Sequence, residues 1–392
     1  MTADASARPL RLHAVGDIVV DRPDPETGFE PSRDLLRAAD VVFGNCEGVY
    51  SDRPARAPSA SIPVLMPRAY ARGLGFAGFD VMSMANNHTV DGGYVGLQDT
   101  LEALAEQQIA TCGAGPDLAA AHAPAILERD GRRIGFLAYS CDAIHPAGYG
   151  AREDVPGIAA VRVHTVYLPS ELAAFQSGAP PEQFTVVNPR DLRRVRDAIA
   201  ALRERVDVAV VSVHCGEGTR PGALTDYERQ LAEAAVDAGA DAVLAHHHHM
   251  LRGVELHRGR PIFFGLGHFV FDVPDLEGQV GPSIWRRMAE HGGEYGYGPR
   301  EGYPLLPMHP DARMTAIAVC ECGADGVRAG MIPCELNPAG QPIPLALDSP
   351  AGERVRDYLV WLNEVAELRA RWRPGQTSTG VPMLVVEDPG GA

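Results

Sequence analysis

Residues 206–249 read VDVAVVSVHCGEGTRPGALTDYERQLAEAAVDAGADAVLAHHHH, and this stretch sets the class of fold. Val206–Val213 is a strongly apolar, β-branched run and reads as a buried strand. Tyr227–Ala238 reads as a helix closed by Gly239, the residue that most easily adopts the left-handed turn after a helix. Ala242–Ala245 then starts another strand. Both strands run out into metal-capable side chains, His214–Cys215–Gly216 and His246–His249, and loops at the carboxyl ends of sheet strands are where such folds place their sites.

The same alternation extends outward, the pattern of an α/β or α+β layered domain. Upstream, Leu10–Val15 is a strand that turns at Gly16–Asp17, and Ser32–Ala39 is a short helix with Ser32 as N-cap. Val41–Asn45 and Val81–Ala85 are strands, Arg68–Gly75 is helical, and Tyr94–Gln108 is a helix with Val95, Leu97, Leu101 and Leu104 close to one face. Ile126–Arg129 and Arg133–Tyr139 bracket Asp130–Gly131, a hairpin signal. Residues 142–187 are loop-rich, and Pro189–Arg205 is a helix with proline near its start. Downstream, Val254–His257 and Pro261–Leu266 form another hairpin, and Met314–Cys320 and Gly326–Pro333 resume strand character. Residues 273–312, rich in Gly, Pro and aromatics without periodicity, read as a lid-like insertion in a domain spanning 8–340. Residues 350–373 read as one long helix and 374–392 as a loose tail.

Composition narrows the function. Hydrophobic residues make up 45% and charged residues 22%, ordinary for a globular chain. A net charge of −16 disfavours nucleic acid and anionic membrane as partners. No apolar stretch approaches a membrane span, and the polar N-terminus, Met1–Pro9, does not resemble a signal peptide, so a cytoplasmic location is expected. The 7 cysteines are scattered and odd in number, unlike a disulfide framework. The chain contains no lysine, so all 35 basic residues are arginine. That removes Schiff-base chemistry on pyridoxal phosphate and the lysine-dependent nucleotide-phosphate loop.

Polar residues at strand ends carry the chemistry: Asp17, Glu47, Asn87, His214 and a pair within His246–His249. Carboxylate, amide and imidazole together suit a divalent ion such as Mn, Fe, Zn or Mg. Asp17 or Glu47 could bridge two ions while Asn87 and the histidines complete the shells, an arrangement that acidifies bound water. Taken singly, Gly–Asp after a strand is more often a turn, and His214 could be a satisfied core histidine. Four consecutive imidazoles cannot all bind, because neighbours on extended backbone point opposite ways.

The order of these motifs resembles the CapA family, named after a poly-γ-glutamate capsule synthesis protein, within the calcineurin-like metallophosphoesterase superfamily. The blocks are GDIVV at 16–20, GNCEG at 44–48, MANNHTVDGG at 84–93, VVSVHCGEG at 210–218, GADAVLAHHHHMLRGVE at 239–255 and FFGLGHFVFD at 263–272. The resemblance implies a four-layer α/β/β/α sandwich with metals at one edge, held by Asp17, Glu47, Asn87, His214, His247 and His249. His247 and His249 are preferred over His246 because the family usually reads His-Pro-His there. His88 would be the acid beside the metals, oriented by Asp91. No N-terminal anchor of the kind family members often carry is expected at Met1–Pro9, and the chain departs from the family in reading HCGEG where HWGxEY is usual and in placing His268 where asparagine is usual.

Three functions follow as expectations. The first is hydrolysis of a phosphate ester or amide by a dinuclear metal-bound hydroxide, with His88 as proton donor. The second is metal-assisted, cofactor-independent epimerisation of an amino acid residue in a peptide, with His88 and His268 as opposed bases and Glu217 in reserve. The third is a metal-stabilised binding protein for an anionic polymer such as polyglutamate. The substrate is expected to be a small molecule or peptide bearing carboxylate or phosphate. Trp285, Tyr295, Tyr297 and Tyr303 with Arg286, Arg287 and Arg300 could form an aromatic, cationic lid over it.

Overall fold

The computed structural model describes residues 8–390 except Ser61, Ala143 and Thr219. Met1–Ala7 of the polar N-terminus and the last two residues of the expected tail, Gly391 and Ala392, lie outside the described residues.

The 206–249 stretch folds as parallel β–α–β: strand Val208–His214, helix Asp226–Asp237 and strand Ala242–His246, with His214 level with His246. The helix starts at a capping box in which Thr225 and Glu228 satisfy each other's terminal groups. These strands sit in a seven-stranded sheet with Arg132–Cys141 on one side and Arg260–Phe263 on the other. Asp130 and Gly131, with φ of 51° and 75°, make the predicted tight turn between Ala125–Arg129 and Arg132–Cys141.

A ten-stranded sheet is built around Leu10–Val19, which pairs in parallel with Val41–Cys46 and His268–Phe271 and antiparallel with Met314–Gly323. Apolar side chains of the two sheets meet directly: Leu12, Ala14 and Val41 share a cluster with Ile134, Val210 and Leu244. Phe43 stacks on Phe136 across it, centroids 5.3 Å apart and nearly coplanar in orientation at 6°. On its other face the first sheet carries Leu36, Leu74, Leu97 and Leu104 from helical segments. The second sheet carries Val195, Ile199, Leu231 and Ala235 from helices Pro189–Arg203 and Asp226–Asp237.

The structure corrects several expectations. Ser32 precedes the helix Arg33–Arg37 but makes no capping bond; its hydroxyl donates to the Phe29 carbonyl instead. The loop-rich 142–187 stretch contains a hairpin, Val163–Leu168 with Glu182–Val187, whose outer residues are exposed. The late helix stops at Val365, well before Trp372, and the expected tail is a β-hairpin, Arg371–Gln376 with Pro382–Glu387, that extends the ten-stranded sheet through Gly330–Val385 pairing. Asn363 pins that reversal: its side chain accepts from Val254 N and donates to the Val254 and Ala370 carbonyls. Residues 273–312 hold two short helices, Leu276–Val280 and Pro282–His291.

Candidate metal centre

The parallel registers bring the carboxyl ends of both sheets together. Asp17 stands level with Asn45 on one neighbour and His268 on the other, and His214 stands level with His246. Gly16 permits this convergence, because any Cβ there would collide with the Gly267 carbonyl, which accepts from Asp17 N at 2.8 Å.

Glu47 is the hub. Its Oε1 is buried without a hydrogen-bond partner and lies 3.7 Å from His214 Nε2, 3.8 Å from His249 Nε2 and 4.0 Å from His88 Nε2. Two groups of side chains are close enough to share an ion, Glu47 with His247 and His249, and Asp17 with Glu47 and His214. Asn87 Oδ1 lies 2.7 Å from His214 Nε2, so amide and imidazole face the same space. Asp17 reaches His246 Nδ1 at 3.6 Å and His249 Nδ1 at 3.4 Å.

The four histidines divide by backbone, not by strand alternation. Extended structure ends at His246, and His247 and His249 then adopt left-handed φ of 97° and 58°. His248 turns the other way, its Nε2 2.7 Å from Glu228 Oε1 at the start of the helix Asp226–Asp237. Gly216 leaves room for that contact; a Cβ there would meet both His248 and Glu228.

His88 Nδ1 bonds Asp91 at 2.7 Å, which leaves Nε2 facing Glu47. Asp91 is itself held by the Val64 N–H at 2.9 Å and the Tyr149 hydroxyl at 2.8 Å. His268 is fully buried, stacked on Phe271 at 3.9 Å and tilted against His249 at 4.8 Å. Neither of its ring nitrogens meets hydrogen-bond geometry, although the Ala312 carbonyl approaches. Glu217 belongs to neither ligand group, and its partly exposed carboxylate pairs with Arg220 at 2.6 Å.

Sequence reasoning missed two residues that organise this centre. Asn45 Nδ2 donates to Asp17 at 2.9 Å and lies 3.4 Å from His214 Nδ1; an asparagine inside a buried strand two residues before Glu47 was its signal. Asn86 donates to the Asn45 side chain and the Cys46 carbonyl, and accepts from His88 N and Thr89. Within residues 273–312, Tyr297 lines the cleft with His88 and His249. The other lid candidates are engaged elsewhere: Arg300 with the Met308 and Gly296 carbonyls, Tyr303 under Arg313, and Tyr295 against His309. Trp285, Arg286 and Arg287 lie on the helix Pro282–His291, with both arginines exposed.

Burial opposes ionisation of Asp17, but the close imidazoles of His246 and His249, at 3.6 and 3.4 Å, outweigh it and hold the carboxyl well below its usual range. Burial, reinforced by the charge of Asp17, pushes Glu47 well above. His214 and His247 are driven well below their ordinary value, by burial first and then by neighbouring imidazoles. Neutral imidazole is the form that binds metal. Buried unpartnered atoms cost roughly 1–3 kcal/mol each, and here Glu47 Oε1, His247 Nδ1 and both nitrogens of His246 gather in one place. A divalent cation satisfies that donor set and offsets the carboxylate repulsion, so the residues present fit such an ion.

Fold and centre together define an α/β protein with a carboxylate–imidazole site, fit for divalent cations, at the carboxyl ends of its strands. The chain matches the family described as Bacterial capsule synthesis protein PGA_cap over residues 11–273 and belongs to it; this family is part of the metallophosphoesterase-like superfamily. It is 30% identical over 321 residues to an uncharacterized protein of Sinorhizobium fredii, covering 69% of this chain and 68% of that one. It is 29% identical over 273 residues to the PGA biosynthesis protein CapA of Bacillus subtilis, covering 67% and 63%. A probable polyglutamine synthesis accessory protein of Mycobacterium tuberculosis is 33% identical over 205 residues, covering 50% and 47%. Among solved structures, GAP50, the anchor in the inner membrane complex of Plasmodium, aligns at 10% identity over 95% of this chain and 99% of that one; its TM-score of 0.33 carries no argument. No helix among the described residues is long and apolar enough to cross a membrane.

Proposed function

We propose that this protein is a metal-dependent hydrolase of a phosphate ester or amide, with two divalent ions at the centre. Helices outside two facing sheets support reading the fold as the four-layer α/β/β/α sandwich of the calcineurin-like metallophosphoesterases. The observation that carries the functional reading is Glu47, shared between both ligand groups with one oxygen unpartnered. Asp17, Glu47, Asn87, His214, His247 and His249 would hold the ions. Bound ions of this kind polarise a phosphoryl or carbonyl group and acidify water. The protein's own part is proton delivery: His88 donates from Nε2 to the leaving group, while Asp91 fixes its tautomer through Nδ1 and Tyr149 fixes Asp91.

Metal analysis of tag-free protein, wild type beside a His247→Ala/His249→Ala variant, tests the reading. About two ions per chain in wild type, lost in the variant, with manganese-dependent phosphoester turnover, is the expected result. A wild type that stays empty when manganese or zinc is supplied rules it out.

One observation favours a second reading, epimerisation of a residue in a peptide. His268 supplies a further buried imidazole beside His249, approached by the Ala312 carbonyl, so the centre has two candidate bases rather than one. Metal-loaded protein without hydrolytic turnover that incorporates deuterium from solvent at a peptide α-carbon would select this reading over hydrolysis.

A further inference from the structure

The cleft beside the metal centre is lined by His88 and His249 and by Val19, Val64, Met66, Phe271, Leu276 and Met308. Its free volume is ≈ 50 Å³. A cavity of roughly 150 Å³ is what accepts a benzene ring, so this space suits a short aliphatic group.

The polar lining is equally selective. Gln279 and Tyr297 are neutral, and the charged groups on the remaining wall are the carboxyls of Asp21 and Asp272. Asp272 faces Arg22, whose Nε donates to it at 2.7 Å, so that guanidinium is already committed. Among the described residues no arginine lines the cleft. A substrate carboxylate entering here would lose water, gain no arginine partner and meet the carboxyl of Asp21.

We propose that the substrate presents its anionic group to the metal centre and a short, uncharged aliphatic group to this cleft, which rejects a chain of carboxylates. Leu276, Gln279, Tyr297 and Met308 all come from residues 273–312, so that segment selects the substrate. This rests on the metal-centre reading above.

Calorimetric titration of the manganese-loaded full chain with inorganic phosphate, propylphosphonate and 3-phosphonopropionate tests it. Phosphate reports the metal centre alone, while the two phosphonates differ in whether their far end is apolar or charged. The expected result is metal-dependent phosphate binding, with propylphosphonate roughly tenfold or more tighter than 3-phosphonopropionate. Gln279→Arg, at an exposed position of the cleft, should narrow that ratio by strengthening 3-phosphonopropionate. Wild-type protein that binds phosphate but takes 3-phosphonopropionate as tightly as propylphosphonate overturns the cleft assignment. No metal-dependent phosphate binding overturns the metal-centre reading, and this inference with it.

Discussion

Left-handed backbone at non-glycine residues costs roughly 1–3 kcal/mol each, and His247 and His249, with φ of 97° and 58°, both adopt it. The contact that holds them there is His248 with Glu228, whose other carboxylate oxygen caps the helix at Thr225. Glu228→Gln keeps an acceptor for the cap but weakens the bond to His248, so manganese affinity should fall about 10–100-fold. Competition with a chelator measures it; unchanged affinity would mean the loop holds its shape unaided. Away from the centre, His13 is buried, with Nδ1 2.9 Å from the Leu35 carbonyl, and burial lowers it to about 4 from 6.5. The folded protein therefore resists a proton that the unfolded chain takes up near pH 6.5, so this stability is complete above that pH and is lost as pH falls towards 4. The loss is on the order of 3 kcal/mol. Urea unfolding at pH 7 and pH 4.5, compared between wild type and His13→Gln, should show a shallower pH dependence in the variant.

At the scale of elements, the closing hairpin is part of the core rather than a loose tail. Met383, Leu384, Val385 and Val386 are all buried, and the strand pairs at Gly330 and Met331 with Gly326–Leu336, covering an edge that Pro342–Pro344 covers only at Cys334–Leu336. Leu384→Ala should cost about 2–5 kcal/mol by urea denaturation with an unchanged m-value; a loss under about 0.5 kcal/mol would place the hairpin among the dispensable surface pieces. Apolar runs such as Val208–His214 and Ala242–His246 were legible because a buried strand announces itself by composition alone. The Arg371–Gln376 strand was not, because its mostly polar edge residues carry no period and gain order only by pairing. The ribbon Val163–Leu168 with Glu182–Val187 escaped although both strands are rich in β-branched and aromatic residues, because its residues are mostly exposed and form no continuous buried apolar run.

For the whole molecule, the core between the sheets also sets the spacing of the metal centre, since each sheet supplies part of the ligand set. Phe136 sits in that core against Phe43, so Phe136→Ala should cost roughly 3–5 kcal/mol and loosen the centre as well. Thermal unfolding with and without manganese reads both effects: a lowered Tm and a smaller metal-induced rise. A full metal-induced rise in the variant would show that the core does not tune the centre. The sequence by itself determined the α/β class and the strand ends that bear Asp17, Glu47, Asn87, His214 and the histidine run, because burial, turn glycines and polar residues at strand ends are local signals. Tertiary structure alone decided which donors converge. Asn45 meets His214 across 169 residues, His247 and His249 separate from His248 through left-handed turns, and Tyr297 arrives from the 273–312 segment. Those choices depend on register and on packing between two sheets, which no local run of residues encodes.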